Sequence, residues 1–266
     1  MGESVGLLLC CFLSNGCLMH PCAHCAFLVC LQEDYLTIMQ SYGFYAVCSG
    51  GNTFTVKLNS YLDFLNDCQI PDDTPGASPK NLDTLFIVTN LEEGLDKQEA
   101  KTNDDKALMR FEWVEIIVRI AMAKYYDSGK VEDLSEAVDH LCKQNIHPNL
   151  EDIATHNRND FRRRRLYNEE VDTLLTRHNR ALHYMFKKYC KGKPGTKEDV
   201  MSTQEWTRFL SDMGVFDADF TKREGRLCFS LSKTLVADEV KRAIAWSTMT
   251  YFDFVSRILA LFLLDG

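Results

Sequence analysis

Proline is scarce in this chain, with six in 266 residues. Helix-breaking positions are therefore few, while Leu, Ala, Lys, Glu and Arg are abundant, and the two together favour helix over sheet. Several catalytic signatures are missing. There is no Gly-x-Ser-x-Gly, no phosphate-cradling glycine loop and no His-Glu-x-x-His, so the chain is read as not an enzyme. Gly192-Lys193-Pro194-Gly195-Thr196 lacks the preceding strand of a phosphate loop and is read as a turn. Paired cysteine spacing is absent too. The eleven cysteines are an odd number, and Cys48, Cys68, Cys142, Cys190 and Cys228 fall singly in helical patterns. That usage fits reduced thiols in an intracellular protein, packed as small hydrophobes. A net charge of −8 argues against a general nucleic-acid binder.

Residues 1–31 lack Lys and Arg altogether and hold one acid, Glu3. The run Val5 to Leu13 is apolar, but the basic start of a signal peptide is missing, and Pro21 and Ser14-Asn15-Gly16 break it too early for a membrane span. Gly2 is followed by Gly6 where a myristoylation signal carries Ser or Thr; Cys10 and Cys11 are palmitoylation candidates. Cys22-Ala23-His24-Cys25 beside His20 has the spacing of half a zinc site without its other half. The segment is read as an atypical cysteine-rich extension, with membrane contact not expected.

What is present is a repeat, about 143 residues apart. Tyr61, Phe64, Leu65 and Ile70 correspond to Trp206, Phe209, Leu210 and Val215. Phe111 and Val114 correspond to Phe252 and Val255, and Phe86-Ile87-Val88-Thr89-Asn90 echoes Phe229-Ser230-Leu231-Ser232-Lys233. Duplication of a helix-pair unit indicates a scaffold. Apolar periodicity predicts helices from Glu33 to Cys48, at Tyr61 to Leu65, Leu82 to Val88, Phe111 to Tyr126, Asp133 to Cys142, Val171 to Tyr189, Trp206 to Leu210, Arg226 to Ser232 and Thr250 to Leu264. Asn59 or Ser60 is the expected cap of the second of these, and Phe111, Val114, Ile117, Val118 and Ala121 the inward face of the fourth. Thr53 to Val56 and Leu108 to Arg110 read as short extended bridges.

Helix, loop, bridge, helix, repeated, is the grammar of an EF-hand pair. The expected fold is all-α: two tandem degenerate pairs with short β-bridges only. The expected division is an extension at 1–31, a first pair at 32–127, a helical linker with a basic segment at 128–170, and a second pair at 171–266. A calcium loop supplies oxygens from positions 1, 3, 5, 7, 9 and 12, with Gly at 6 and the bridge residue at 8. With Val56, Leu108, Met201 and Met249 at position 8, position 12 holds Ser60, Glu112, Glu205 and Asp253. The first loop offers Ser49, Gly51 and Thr53 before it, the second Lys101, Asn103 and Asp105, the third Pro194, Thr196 and Glu198, the fourth Arg242, Ile244 and Trp246. Too few carboxylates converge to hold a hard cation, so no cofactor is expected. The nearest calcium candidates are Asn103, Asp105 and Glu112. Glu112, Glu205 and Asp253 read instead as first-turn acids at helix N-termini.

Phe111 to Ala121, Phe-Glu-Trp-Val-Glu-Ile-Ile-Val-Arg-Ile-Ala, together with Asp219-Phe220-Thr221-Lys222-Arg223-Glu224 ahead of Phe229 to Ser232, resembles EF-hand-like proteins of protist cilia and flagella. The resemblance spans about residues 33 to 264. It implies an axonemal structural protein in cytoplasm and cytoskeleton, calcium-independent, associated with microtubules, with tubulin or other axonemal proteins as partners. Arg162-Arg163-Arg164-Arg165 is the candidate partner-binding segment, because four consecutive guanidinium groups cannot share one helix face and some must meet solvent or an acidic surface. No stacking aromatics accompany the run, which disfavours RNA. The alternatives are a calcium sensor using the loop before Glu112, and a subunit of another large complex such as a mitochondrial one. His140, His147, His156, His178 and His183 are dispersed, and the last two lie five apart, off one helical face.

Overall fold

The computed structural model describes residues 21–49, 53–90, 106–155, 162–190, 199–233, 236 and 242–263; for 21–31, 162, 165 and 259–263 it describes the backbone alone. The described chain is mostly helical, with two sheets of two short strands each. It divides into two units. One comprises residues 1–49 and 55–155, the other 50–54 and 156–266.

In the first unit α1 spans Pro21–Cys48, with proline at its first position, where a missing N–H costs nothing. The expected boundary at residue 31 therefore falls inside a continuous helix, while residues 1–20 lie outside the described ones. β1 (Val56–Lys57) leads directly into α2 (Leu58–Asp67), whose cap is Lys57 backbone, not the side chain of Asn59 or Ser60. A turn at Pro75–Ala77 precedes α3 (Pro79–Thr89). β2 (Ala107–Leu108) precedes α4 (Arg110–Ala121), which runs into a π-helical turn, Met122–Tyr126. β1 and β2 are antiparallel, with Val56 opposite Leu108 and Lys57 opposite Ala107. Gly76 sits against that π turn. A Cβ there would stand 1.7 Å from the Ala123 carbonyl oxygen, so only glycine fits.

The segment expected as a linker continues this unit. α5 (Leu134–His140) packs against α1 and α4, burying Leu134, Ala137 and Val138, and extends through a π-helical turn, Leu141–Ile146.

In the second unit a π-helical turn, Arg162–Leu166, precedes α6 (Glu169–Tyr189), which is capped by the Asn168 side chain. β3 (Met201–Ser202) leads into α7 (Thr203–Asp212), and α8 spans Lys222–Ser232. A helical turn α9 (Ala243–Ser247), β4 (Thr248–Met249) and α10 (Tyr251–Leu263) follow. β3 and β4 are antiparallel, with Met201 opposite Met249. The four bridge residues chosen from sequence are thus the ones that face each other in two pairs.

Each unit has the same internal contacts as well as the same order of strands and helices. The Tyr45 hydroxyl donates to Asp67 Oδ2 at 2.7 Å, and the Tyr189 hydroxyl to Asp212 Oδ2 at 2.9 Å. Tyr45 meets Phe64 edge-on at 5.3 Å, and Tyr189 meets Phe209 edge-on at 5.3 Å. Tyr61 donates to the Leu82 carbonyl at 3.1 Å, and Trp206 Nε1 to the Gly225 carbonyl at 2.8 Å. Each bond ties the helix after the first strand to the next helix. Phe64 packs on Trp113 at 4.7 Å, and Phe209 on Phe254 at 5.3 Å.

These last contacts correct the inward face read for α4. Ile117, Val118 and Ala121 are buried as expected, and Trp113, Ile116 and Ile120 join them, whereas Phe111 and Val114 are only partly buried and Phe252 is 57% exposed. The helix begins at Arg110 directly from the bridge, and in its first two turns the buried apolar positions are Trp113 and Ile116 in place of Phe111 and Val114.

Both α2 and α7 end in the same hydrogen-bonded turn. Ile70 N–H donates to the Leu65 carbonyl and Gln69 N–H to that of Asn66, as Val215 does to Leu210 and Gly214 to Ser211. This C-terminal motif needs a left-handed residue. Gly214 takes it at φ 67°, Gln69 at φ 51°. Gln69→Gly removes a Cβ clash and should stabilise the first unit by up to about 1 kcal/mol, while Gly214→Ala should cost the second unit a similar amount. Urea unfolding midpoints of the two variants should move in opposite directions.

Candidate functional site

The four bridge residues place the four loop ends, and the fate of the acid four residues on decides what a loop can do. Glu112 is 4% exposed. Its Oε2 accepts the Met109 N–H at 2.6 Å. Glu205 Oε2 accepts the Ser202 N–H at 2.7 Å and the Ser202 hydroxyl at 2.8 Å, and the Glu205 N–H returns to Ser202 Oγ at 3.4 Å. Asp253 Oδ2 accepts the Thr250 N–H at 3.0 Å and the Thr250 hydroxyl at 2.9 Å. All three carboxylates are folded back on the N-terminus of their own helix as capping-box acids. Thr221 and Glu224 make the same arrangement at α8, where there is no loop. In the first loop Ser60 is buried and brings no carboxylate. There Ser49 Oγ accepts the Lys57 N–H at 3.0 Å.

Loop interiors differ in how much is described. Gly51, Lys101, Asn103, Asp105, Pro194, Thr196 and Glu198 lie outside the described residues, as does the turn from Gly192 to Thr196. The fourth loop is described from Arg242. It coils into α9, with the Trp246 N–H donating to the Arg242 carbonyl at 2.8 Å, and Ile244 is exposed. Among the described residues no three His, Cys, Asp or Glu side chains come together as a metal group. His147 Nε2 pairs with Asp34 Oδ1 at 2.6 Å, and His183 lies edge-on to Tyr251. His156 lies outside the described residues, as does His20; Cys22, His24 and Cys25 are described by helical backbone alone.

A second polar cluster clamps the turn after α2. Lys124, almost fully buried in the π turn, donates to the Ile70 carbonyl and to Asp72 Oδ2, both at 2.6 Å. Asn145, in the π turn after α5, accepts from the Tyr125 hydroxyl at 2.7 Å and donates to the Gln69 carbonyl at 2.8 Å. Burial opposes ionisation of Asp72, yet hydrogen bonds from Lys124 and Thr74 carry its carboxyl down to about 2. Sequence patterns did not single out this cluster, because π turns have no periodic signature and its residues are scattered along the chain.

Cys68, Cys190 and Cys228 are free thiols. Burial, with Asp67 nearby, pushes Cys68 up to about 12; burial, with Glu205 and Asp199, does the same for Cys190. Neither is a nucleophile at neutral pH. In the arginine run, Arg163 and Arg164 are exposed, and the turn that carries them packs its backbone on α10. Leu166 is buried at its end. No helix of the described residues is long and apolar enough to cross a membrane.

Comparison with protein-family models, with curated proteins and with solved structures gives no match. The reading of the site therefore rests on the geometry above.

Two outcomes follow from it. Glu205→Ala leaves the Ser202 N–H and hydroxyl without their acceptor and should lower stability by about 1–2 kcal/mol in urea unfolding, as loss of a helix cap does. Asp72 is ionised in the fold far below the ordinary carboxyl pKa of about 4. Its contribution is complete above about pH 4 and is lost as pH falls toward 2. Asp72→Asn should flatten that part of a stability–pH curve measured by urea titration.

Proposed function

We propose that this chain is a non-enzymatic structural protein built of two tandem degenerate EF-hand pairs, serving as a scaffold in a large assembly. The assembly that best suits the sequence resemblance is the ciliary axoneme, within the cytoplasmic cytoskeleton, with tubulin or neighbouring axonemal proteins as partners. The observation that carries this reading is the repeated use of the loop-terminal acid. Glu112, Glu205 and Asp253 each follow a bridge residue at calcium-loop spacing, and each accepts hydrogen bonds from its own helix start. A carboxylate bound in that way satisfies backbone donors of the first turn and gains from the helix dipole. Turning it toward an ion would break those bonds, and too few other acids converge to offset the dehydration of a divalent cation.

The order helix, two-residue strand, helix, twice per unit, supports the pairing. A unit of this kind has no reaction chemistry of its own; it offers stable helical surfaces. The exposed Arg163 and Arg164 suit an acidic protein surface such as tubulin.

Calorimetry should detect no heat of binding at millimolar calcium, and Glu112→Gln should change nothing. A binding isotherm abolished by Glu112→Gln would instead establish a calcium sensor. In ciliated cells the tagged protein should remain with detergent-extracted axonemes. Reversing the charge of Arg163 and Arg164 should loosen it several-fold, read as release at lower salt. Recovery only in the soluble fraction would contradict the axonemal assignment.

A further inference from the structure

A buried lysine lies against the fourth loop. Lys233 is the first residue beyond α8 and is 4% exposed. Its Nζ donates to the carbonyl oxygens of Ala245 in α9 and of Thr248 in β4. The Asp253 carboxylate lies near enough to favour the ammonium by its charge. Two carbonyl oxygens on one positive charge, with a carboxylate charge nearby, are the groups that hard cations select. Two of the three also sit at the sequence positions where a calcium loop provides ligands. Thr248 immediately precedes the bridge residue Met249, the place of the backbone carbonyl, and Asp253 stands at the twelfth position.

We infer that the Lys233 ammonium is a built-in replacement for the divalent ion of this loop, tying α8, α9, β4 and the start of α10 together without any bound metal. The inference deepens the degenerate EF-hand reading and rests on it.

The physical reasoning is one of compensation. An unpaired ammonium with this little exposure would be prohibitively costly. Here the ammonium donates to the Ala245 and Thr248 carbonyls, and the nearby Asp253 charge favours it. Burial pulls the Lys233 pKa down, to about 8, against the opposing pull of the Asp253 charge. A calcium ion arriving at this loop would meet a positive charge already in place. The first unit lacks the device. In the sequence echo Asn90 stands where Lys233 does, and the Asn90 Oδ1 has no hydrogen-bond partner among the described residues.

A double-mutant cycle on the full chain tests the inference. Lys233→Met keeps the length and apolar stem of the side chain but removes the charge, and Asp253→Asn keeps the shape of the carboxylate. The proposal expects each single variant to lower the melting temperature, and the double variant to lower it by clearly less than the sum. Strict additivity, or a Lys233→Met protein as stable as the parent, overturns it, because space-filling alone would then account for the residue. Should Lys233→Met fail to fold, the nitrogen spectrum of the parent protein decides. A hydrogen-bonded ammonium exchanges slowly and gives a lysine Nζ cross-peak at neutral pH that exposed lysines do not give; its absence overturns the proposal. Calcium calorimetry on the same samples separates the two levels of the argument. Calcium binding by the parent protein refutes the degenerate-loop reading itself, whereas an inert parent with additive variants refutes only the role of Lys233.

Discussion

Within each unit a two-residue antiparallel bridge holds two helical hairpins in register. Val56 faces Leu108 and Met201 faces Met249, all four fully buried. Short strands of this kind contribute few hydrogen bonds, and their force lies in what they position. Each strand hands the chain directly to a helix, so its register fixes which side chains enter the core: Phe64 and Trp113 in one unit, Phe209 and Phe254 in the other. The same register puts an acid three residues past the N-cap of α4, α7 and α10, and Ser60 at that place in α2. Core and loop chemistry are therefore set by one constraint, and the duplicated contacts are what it leaves behind.

The tyrosine–aspartate bonds extend that logic to the ends of the helices. Tyr45 and Tyr189 each bury a ring against the core phenylalanine and spend the hydroxyl on an acid at the end of the next helix. Net stabilisation from each bond is about 1 kcal/mol, and its larger effect is orientation. Sequence comparison aligned Phe64 with Phe209 without finding these tyrosines, since Tyr45 and Tyr189 lie in helices of quite different composition. Where the units differ, the difference has a local cause. The left-handed residue is glycine in one and glutamine in the other. The first unit steadies that turn with Lys124, Tyr125 and Asn145, brought in by two π turns.

Legibility followed the strength of the local signal. Bridge residues were readable because an apolar position ahead of a helix start is a sharp pattern. Helix existence was readable from apolar period, and Leu134, Val138 and Leu141 do point inward. The phase of α4 was not, because Phe111 and Trp113 are both large aromatics, and only the exit angle from β2 decides which is buried. The start of α1 at Pro21 was hidden by a cysteine-rich composition that carries no helical charge pattern. The first-turn acids were legible as acids that suit a helix N-terminus, but the Ser202 and Thr250 hydroxyls that bond two of them were not. The Lys233 cage was not, because it joins residues from three elements through backbone oxygens that no side-chain pattern reveals.

On the proposed reading these carboxylates belong to their helices and the loops close without metal. A crystal structure of the full chain grown in excess calcium tests that most directly. It should show Glu112, Glu205 and Asp253 bonded to Met109, Ser202 and Thr250 as here, with the Lys233 ammonium between the Ala245 and Thr248 carbonyls. A calcium ion held by any of those three acids would contradict it.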